Sequence, residues 1–161
     1  MAPTPLWTPD PNLDLVLQRE IDIPPHLVYE MWTKPEHVVK YFVPAPWTIT
    51  ECEIDLRPGG MFRSVMRSPE GTEYPNMGCF LEIVPNERLV WTDALLPGYR
   101  PSKEPFMTAI ITMEPRGNGG TLYTATAIHR DEEQRRKHEE MGFHHGWGIV
   151  LDQLVAYAKT V

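Results

Sequence analysis

Few stretches of this chain hold the residue types that chemistry needs at a useful spacing. The densest is "HEEMGFHHGW" (138–147), three histidines around two glutamates. A zinc-binding HExxH helix sets its histidines one turn apart. That pattern would need histidine at 142, where Gly142 stands, and His138 and His145 are seven positions apart, so no metal is expected. His144 lies three residues before Trp147 on an apolar stripe. It reads first as a satisfied core histidine, second as a hydrogen-bond partner for a ligand, and third as a base tuned by an apolar site. Tyr74, Asn76 and Asp93 are weaker polar candidates of the same kind. No tight acid–base pair stands out, and most carboxylates lie beside turns. "DLRPGG" (55–60) reads as a turn: Pro58 fixes φ, Gly59 and Gly60 permit positive φ, and Asp55 can pair with Arg57. A phosphate cradle would need more glycines and a helix start just after them.

The other candidates are apolar. Large aromatic and flexible side chains exceed what a tight core requires, and they suit an adaptable pocket wall. Trp32, Phe62, Met66, Trp91, Met107, Ile111, Trp147 and Leu151 are the wall candidates, with Tyr74, Asn76 and His144 as polar contacts. Strand parity places Phe62 and Met66 opposite Arg63 and Arg67, hence inward. Met107, Ala109, Ile111 and Met113 form a second uncharged row. Two strands resist this reading. Trp47 and Ile49 share parity with Glu51 and Glu53, which calls for a bulge, and Trp91 shares parity with Asp93. The connector "LPGYRPSKEP" exceeds hairpin length, so Tyr99 and Arg100 are candidates for a gate over the pocket mouth.

The elements that must position these residues follow from local pattern. The first twelve residues carry four prolines and no period, and read as a flexible arm before one domain over 13–161. "LDLVLQREI" alternates as a strand. "PPHLVYEMWT" and "KPEHVVKYF" read as two short helices, each opened by proline, whose missing N–H costs nothing there. Six segments from Pro46 to Arg130 are rich in Thr, Val, Ile and aromatic residues and are separated by Gly/Pro/Asn turns. The last thirty residues read as one long helix, with acid-before-base pairs at i,i+4 on a solvated face (Asp131–Arg135, Glu132–Arg136, Glu133–Lys137). Gly142, Gly146 and Gly148 are costly in a helix. They are expected to bring it close to the sheet while sparing a space beside Trp147.

Charge and composition narrow the partners. Fifteen basic against 22 acidic residues give a net charge of −7, which argues against nucleic acid or an anionic membrane as partner. No apolar run reaches the ~20 residues of a membrane span, and no signal-peptide pattern opens the chain. A cytoplasmic protein, monomer or homodimer, is expected. Cys52 and Cys79 sit in apolar stretches without a CxxC pattern and read as small buried hydrophobes. No cofactor motif is present.

In order, then, the chain predicts a strand, two short helices, six strands and a long helix. It is an α+β arrangement: a seven-stranded curved antiparallel sheet around a C-terminal helix. This order resembles the helix-grip fold of the START/SRPBCC, birch-pollen-allergen-like superfamily. Within it, four motifs resemble the family named after the activator of the 90-kDa heat-shock-protein ATPase: "MWTKPEHVVKYF", "ECEIDLRPGGMFR", "GCFLEIVPNERLVWTD" and "MGFHHGWGIVLDQLVAYA". With the first strand included, the resemblance covers 13 to 159. The resemblance implies a small hydrophobic molecule held between sheet and helix. A cyclase- or dehydratase-type enzyme using the same pocket is the alternative. A chaperone-linked module ranks third, because only twelve residues precede the first strand here.

Overall fold

The computed structural model describes residues 7–161. β1 (Asp14–Ile21) is followed by α1 (Pro25–Thr33) and α2 (Pro35–Tyr41), then β2 (Thr48–Ile54), β3 (Met61–Arg67), β4 (Glu73–Val84) and β5 (Arg88–Thr92). A two-residue ribbon, β6 (Leu95–Leu96) with β7 (Arg100–Pro101), interrupts the succession before β8 (Thr108–Pro115) and β9 (Thr121–Ile128). The chain ends in α3 (Glu132–Glu140) and α4 (Phe143–Ala158). Seven strands form one antiparallel sheet in the order β1-β9-β8-β5-β4-β3-β2, so β1 closes the sheet beside the last strand. The expected α+β helix-grip architecture is present. The arm expected over 1–12 lies partly outside the described residues. Where it is described, the backbone N–H groups of Leu13 and Asp14 bond back to the Asp10 carbonyl.

Prolines start both short helices, as expected: Pro25 and Pro35 occupy first-turn positions. The bulge that parity demanded in β2 is found as a register shift between Ile49 and Glu51. Beyond it Glu51 and Glu53 pair with Arg63 of β3.

The terminal helix differs from expectation. It is two helices, because Gly142 takes a φ of +93°, a left-handed conformation that ends the first and opens the second. Nothing lies within 4 Å of a Cβ built at Gly146, and one at Gly148 would meet the Arg19 guanidinium at 2.8 Å. None of the three glycines borders the cavity described below. Their roles are a helix break, a bare position on α4, and room for an arginine.

The core is one large cluster, in which α1 and α4 cover the concave face, and a smaller one of Leu15, Ala127 and Phe143. Met31, Tyr41, Phe80, Leu89, Ile111, Leu151 and Leu154 are all buried in the large one. Gln153 fastens α4 to the end of α2. Its side-chain N–H donates to the carbonyls of Tyr41 (2.9 Å) and Val43 (2.8 Å), and its Oε1 accepts from Ala45 N–H (2.9 Å).

Candidate functional site

α1 crosses only part of the concave face, and the part it leaves open is a cavity of about 600 Å³ between the sheet and the first turns of α4. β3 contributes Phe62, Ser64 and Met66, the inward parity set, while the cross-strand row of β4 contributes Gly78 and Asn76. Phe62 stacks on Phe80 at 5.4 Å and meets Trp91 edge-on at 5.2 Å. A Cβ on Gly78 would lie 3.2 Å from the Thr92 carbonyl, a tight contact with backbone, and at an ordinary 3.6 Å from the Trp91 ring. Trp91 and Asp93 share parity and both line the cavity. The strand with a conflicting sequence pattern thus turns one apolar and one charged residue to the same space.

Trp32 of α1, Phe42 just beyond α2, and Trp147 and Val150 of α4 form the opposite wall. Trp32 and Phe42 pack edge to face at 5.4 Å. Tyr123 of β9 supplies the floor and is only 3% exposed. Burial drives its phenol far above the ordinary tyrosine range, an effect that the neighbouring Trp32 indole opposes. Neither the Trp32 nor the Trp91 indole N–H finds a hydrogen-bond acceptor among the described residues.

The segment after β5 builds the rim. Asp93 is fixed by two backbone donors, with Oδ1 accepting from Phe106 N–H (2.7 Å) and Met107 N–H (3.1 Å), while Ser102 Oγ donates to the Asp93 carbonyl (2.7 Å). Leu96, Ser102, Glu104, Phe106 and Met107 complete the lining from this side.

Of the residues singled out from sequence, Trp32, Phe62, Met66, Asn76, Trp91, Met107 and Trp147 come together around this space. The others are placed elsewhere. Ile111 and Leu151 share the inward faces of their elements, but they sit where α1 closes the grip and are part of the solid core. Tyr74 lies opposite Met66 beyond the cavity mouth, 46% exposed, with its ring 5.6 Å from that of Trp47. His144 is exposed and borders a separate groove of about 300 Å³ with Asp14, Arg135 and Glu139. Phe143 takes the inward position one residue earlier, 4.6 Å from Trp147, and leaves His144 on the shoulder of the stripe. Tyr99 and Arg100 do not border the cavity either. The Tyr99 ring lies over Gly59, where a Cβ would meet it at 2.8 Å, and Gly98 N–H bonds the Gly59 carbonyl at 2.8 Å. The tip of the long connector is therefore docked on the "RPGG" turn, and its base rather than its tip faces the cavity.

Tyr123, Phe42 and Phe106 were not anticipated. "TLYTATAI" carried a signal for the first, since Tyr123, Ala125 and Ala127 form an uncharged row like that of β8. Phe42 and Phe106 lie just outside regular elements, where periodicity has nothing to say.

Behind Phe106 two histidines are joined. His129 Nδ1 faces the Leu13 carbonyl at 2.8 Å, and its Nε2 lies 2.9 Å from His138 Nδ1. A carbonyl only accepts, so His129 carries its proton on Nδ1 and takes one from His138. Burial, aided by His129, lowers the His138 pKa to about 4. Burial also pushes the Cys52 thiol up to about 11, which keeps it protonated and unreactive at neutral pH. Both cysteines are free.

Comparison with known proteins fits this geometry. The family model described as activator of Hsp90 ATPase homolog 1-like protein matches residues 22–159. A crystal structure of a protein from Nitrosomonas europaea is 50% identical, covers 94% of this chain and 97% of its own, and superposes with a TM-score of 0.91. A solution structure from Arthrobacter aurescens (24% identity, 93% and 88% coverage, TM-score 0.76) shares the fold. So does a crystal structure from Rhodobacter sphaeroides (18% identity, 96% and 97% coverage, TM-score 0.80). No curated protein matches the chain. Among the described residues no helix is long and apolar enough to cross a membrane.

Proposed function

Since the chain belongs to the activator of Hsp90 ATPase homolog 1-like family, whose fold commonly binds hydrophobic ligands, we propose that it binds a small, largely hydrophobic molecule between its curved sheet and C-terminal helix. One observation carries this reading: a cavity of about 600 Å³ walled by Trp32, Phe42, Phe62, Trp91, Phe106, Tyr123 and Trp147. Close-packed interiors leave few voids larger than a water, whereas pockets for small molecules measure roughly 300–1,000 Å³.

A binding role also agrees with the polar groups. His144, the candidate base, borders another groove. The cavity's one half-buried carboxylate, Asp93, spends Oδ1 on backbone donors rather than on a partner acid or base. Native mass spectrometry of the freshly purified protein tests the proposal. An excess mass that vanishes on denaturation is the expected result. A second arm titrates apolar compounds against tryptophan emission, to which Trp32, Trp91 and Trp147 report from the cavity wall. A clean apo mass together with no quenching by any compound would sink the reading.

A further inference from the structure

We propose that the occupant of this cavity is an organic cation, an apolar or aromatic body carrying an amine or quaternary ammonium group. The inference rests on the ligand-binding reading above and names its ligand class.

Charge in the cavity wall is of one sign. Asp93 and Glu104 line it, and no lysine, arginine or histidine does. Two neighbouring arginines are turned away, and Lys103, between the lining residues Ser102 and Glu104, is exposed. Arg63 and Arg67 alternate with the lining residues Phe62, Ser64 and Met66, and Arg63 is held on the other face by Glu51 and Glu53. Asp93 is half-buried and immobilised through Oδ1. Its Oδ2 forms no hydrogen bond or ion pair among the described residues, yet it is not sealed off in the interior. A carboxylate in an apolar wall without a counter-ion disfavours a second anion and favours a cation.

The rings act in the same direction. Seven aromatic side chains surround the space, and their faces carry the negative end of the quadrupole, which attracts ammonium groups. The net charge of −7 adds a long-range field of the same sign. A fatty acid would fill the volume but would bring its carboxylate against Asp93 and Glu104. An ammonium of equal length gains at every one of these points.

The test is a chain-matched series below micellar concentration: dodecyltrimethylammonium, dodecanol and dodecanoate, followed by tryptophan quenching and calorimetry at neutral pH. The ammonium is expected to bind roughly tenfold tighter than the alcohol, with the carboxylate weakest. Asp93→Asn keeps an Oδ1 acceptor for the Phe106 and Met107 N–H groups and removes the charge. In it the ammonium-to-alcohol ratio should fall severalfold, leaving the share that Glu104 and the rings supply. Equal or tighter binding of the alcohol or the carboxylate by the unaltered protein overturns the inference, whatever the variant's folding. So does an ammonium preference that is undiminished in folded D93N. If the alcohol binds and the ammonium has no advantage, only the ligand class falls. If none of the three binds, the ligand class falls, and the binding reading falls with it when the native mass is also clean and no other compound quenches.

Discussion

His138 is kept neutral by burial, so it taxes the folded state only when acid forces a proton on it. Its pKa is about 4 in the fold, against 6.5 for an ordinary histidine. Between these values the unfolded chain binds the additional proton. The contribution is thus fully present above pH 6.5 and is lost progressively as pH falls towards 4. The loss is on the order of 2–3 kcal/mol. Asp14, whose carboxyl is raised by burial, works in the opposite sense: its protonation favours the fold as pH drops. Urea midpoints measured from pH 7.5 to 4.5 should decline, and His138→Gln, which retains a donor for His129, should flatten that decline. A parallel pH slope in the variant would assign the acid sensitivity elsewhere.

Two glycines separate backbone necessity from helix economy at the level of elements. A Cβ on Gly60 would lie 2.0 Å from the Asp55 carbonyl oxygen, a backbone atom that cannot move without opening the turn between β2 and β3. Gly60→Ala is expected to cost roughly 2–4 kcal/mol. Gly146, inside α4 with open space around its Cα, is the reverse case. Gly146→Ala should stabilise by about 0.5–1 kcal/mol. Paired denaturant unfolding of the two variants checks both signs. Much of this was legible beforehand: the turn chemistry of "RPGG", the proline starts of α1 and α2, and the bulge in β2 all follow from local sequence. The break at Gly142 was missed because a glycine inside a periodic stripe looks the same whether the helix runs through it or restarts there.

For the molecule as a whole, the cavity exists because two things hold α4 in place while α1 covers only part of the sheet. One is the apolar stripe from Phe143 and Trp147 to Ala158; the other is Gln153, whose amide bonds three backbone groups at the end of α2. Gln153→Leu leaves those groups without their partner and should cost about 1–3 kcal/mol. It should also weaken retention of any bound apolar compound, since Trp147 and Val150 ride on the same helix. Thermal melts with and without the tightest-binding probe measure both effects. A variant as stable as the parent would show that Gln153 is not needed to fix the helix.

By itself the sequence determined most of the inward faces: parity on β3 and β8 and, His144 excepted, the three- and four-residue spacing on α4 are local geometry, written in every few residues. It also determined the order of elements, and with it the grip of sheet on helix. Whether an inward residue borders a cavity or a solid core was decided only by tertiary structure. Met107, just before β8, continues the row of Ile111, yet one meets open space and the other meets core, because α1 covers the second and stops short of the first. Likewise Tyr99 docks on Gly59, and Asp93 joins Trp91 at the cavity, through contacts between segments distant in the chain. Periodicity describes each element against its own axis and carries no information about where a neighbouring element ends.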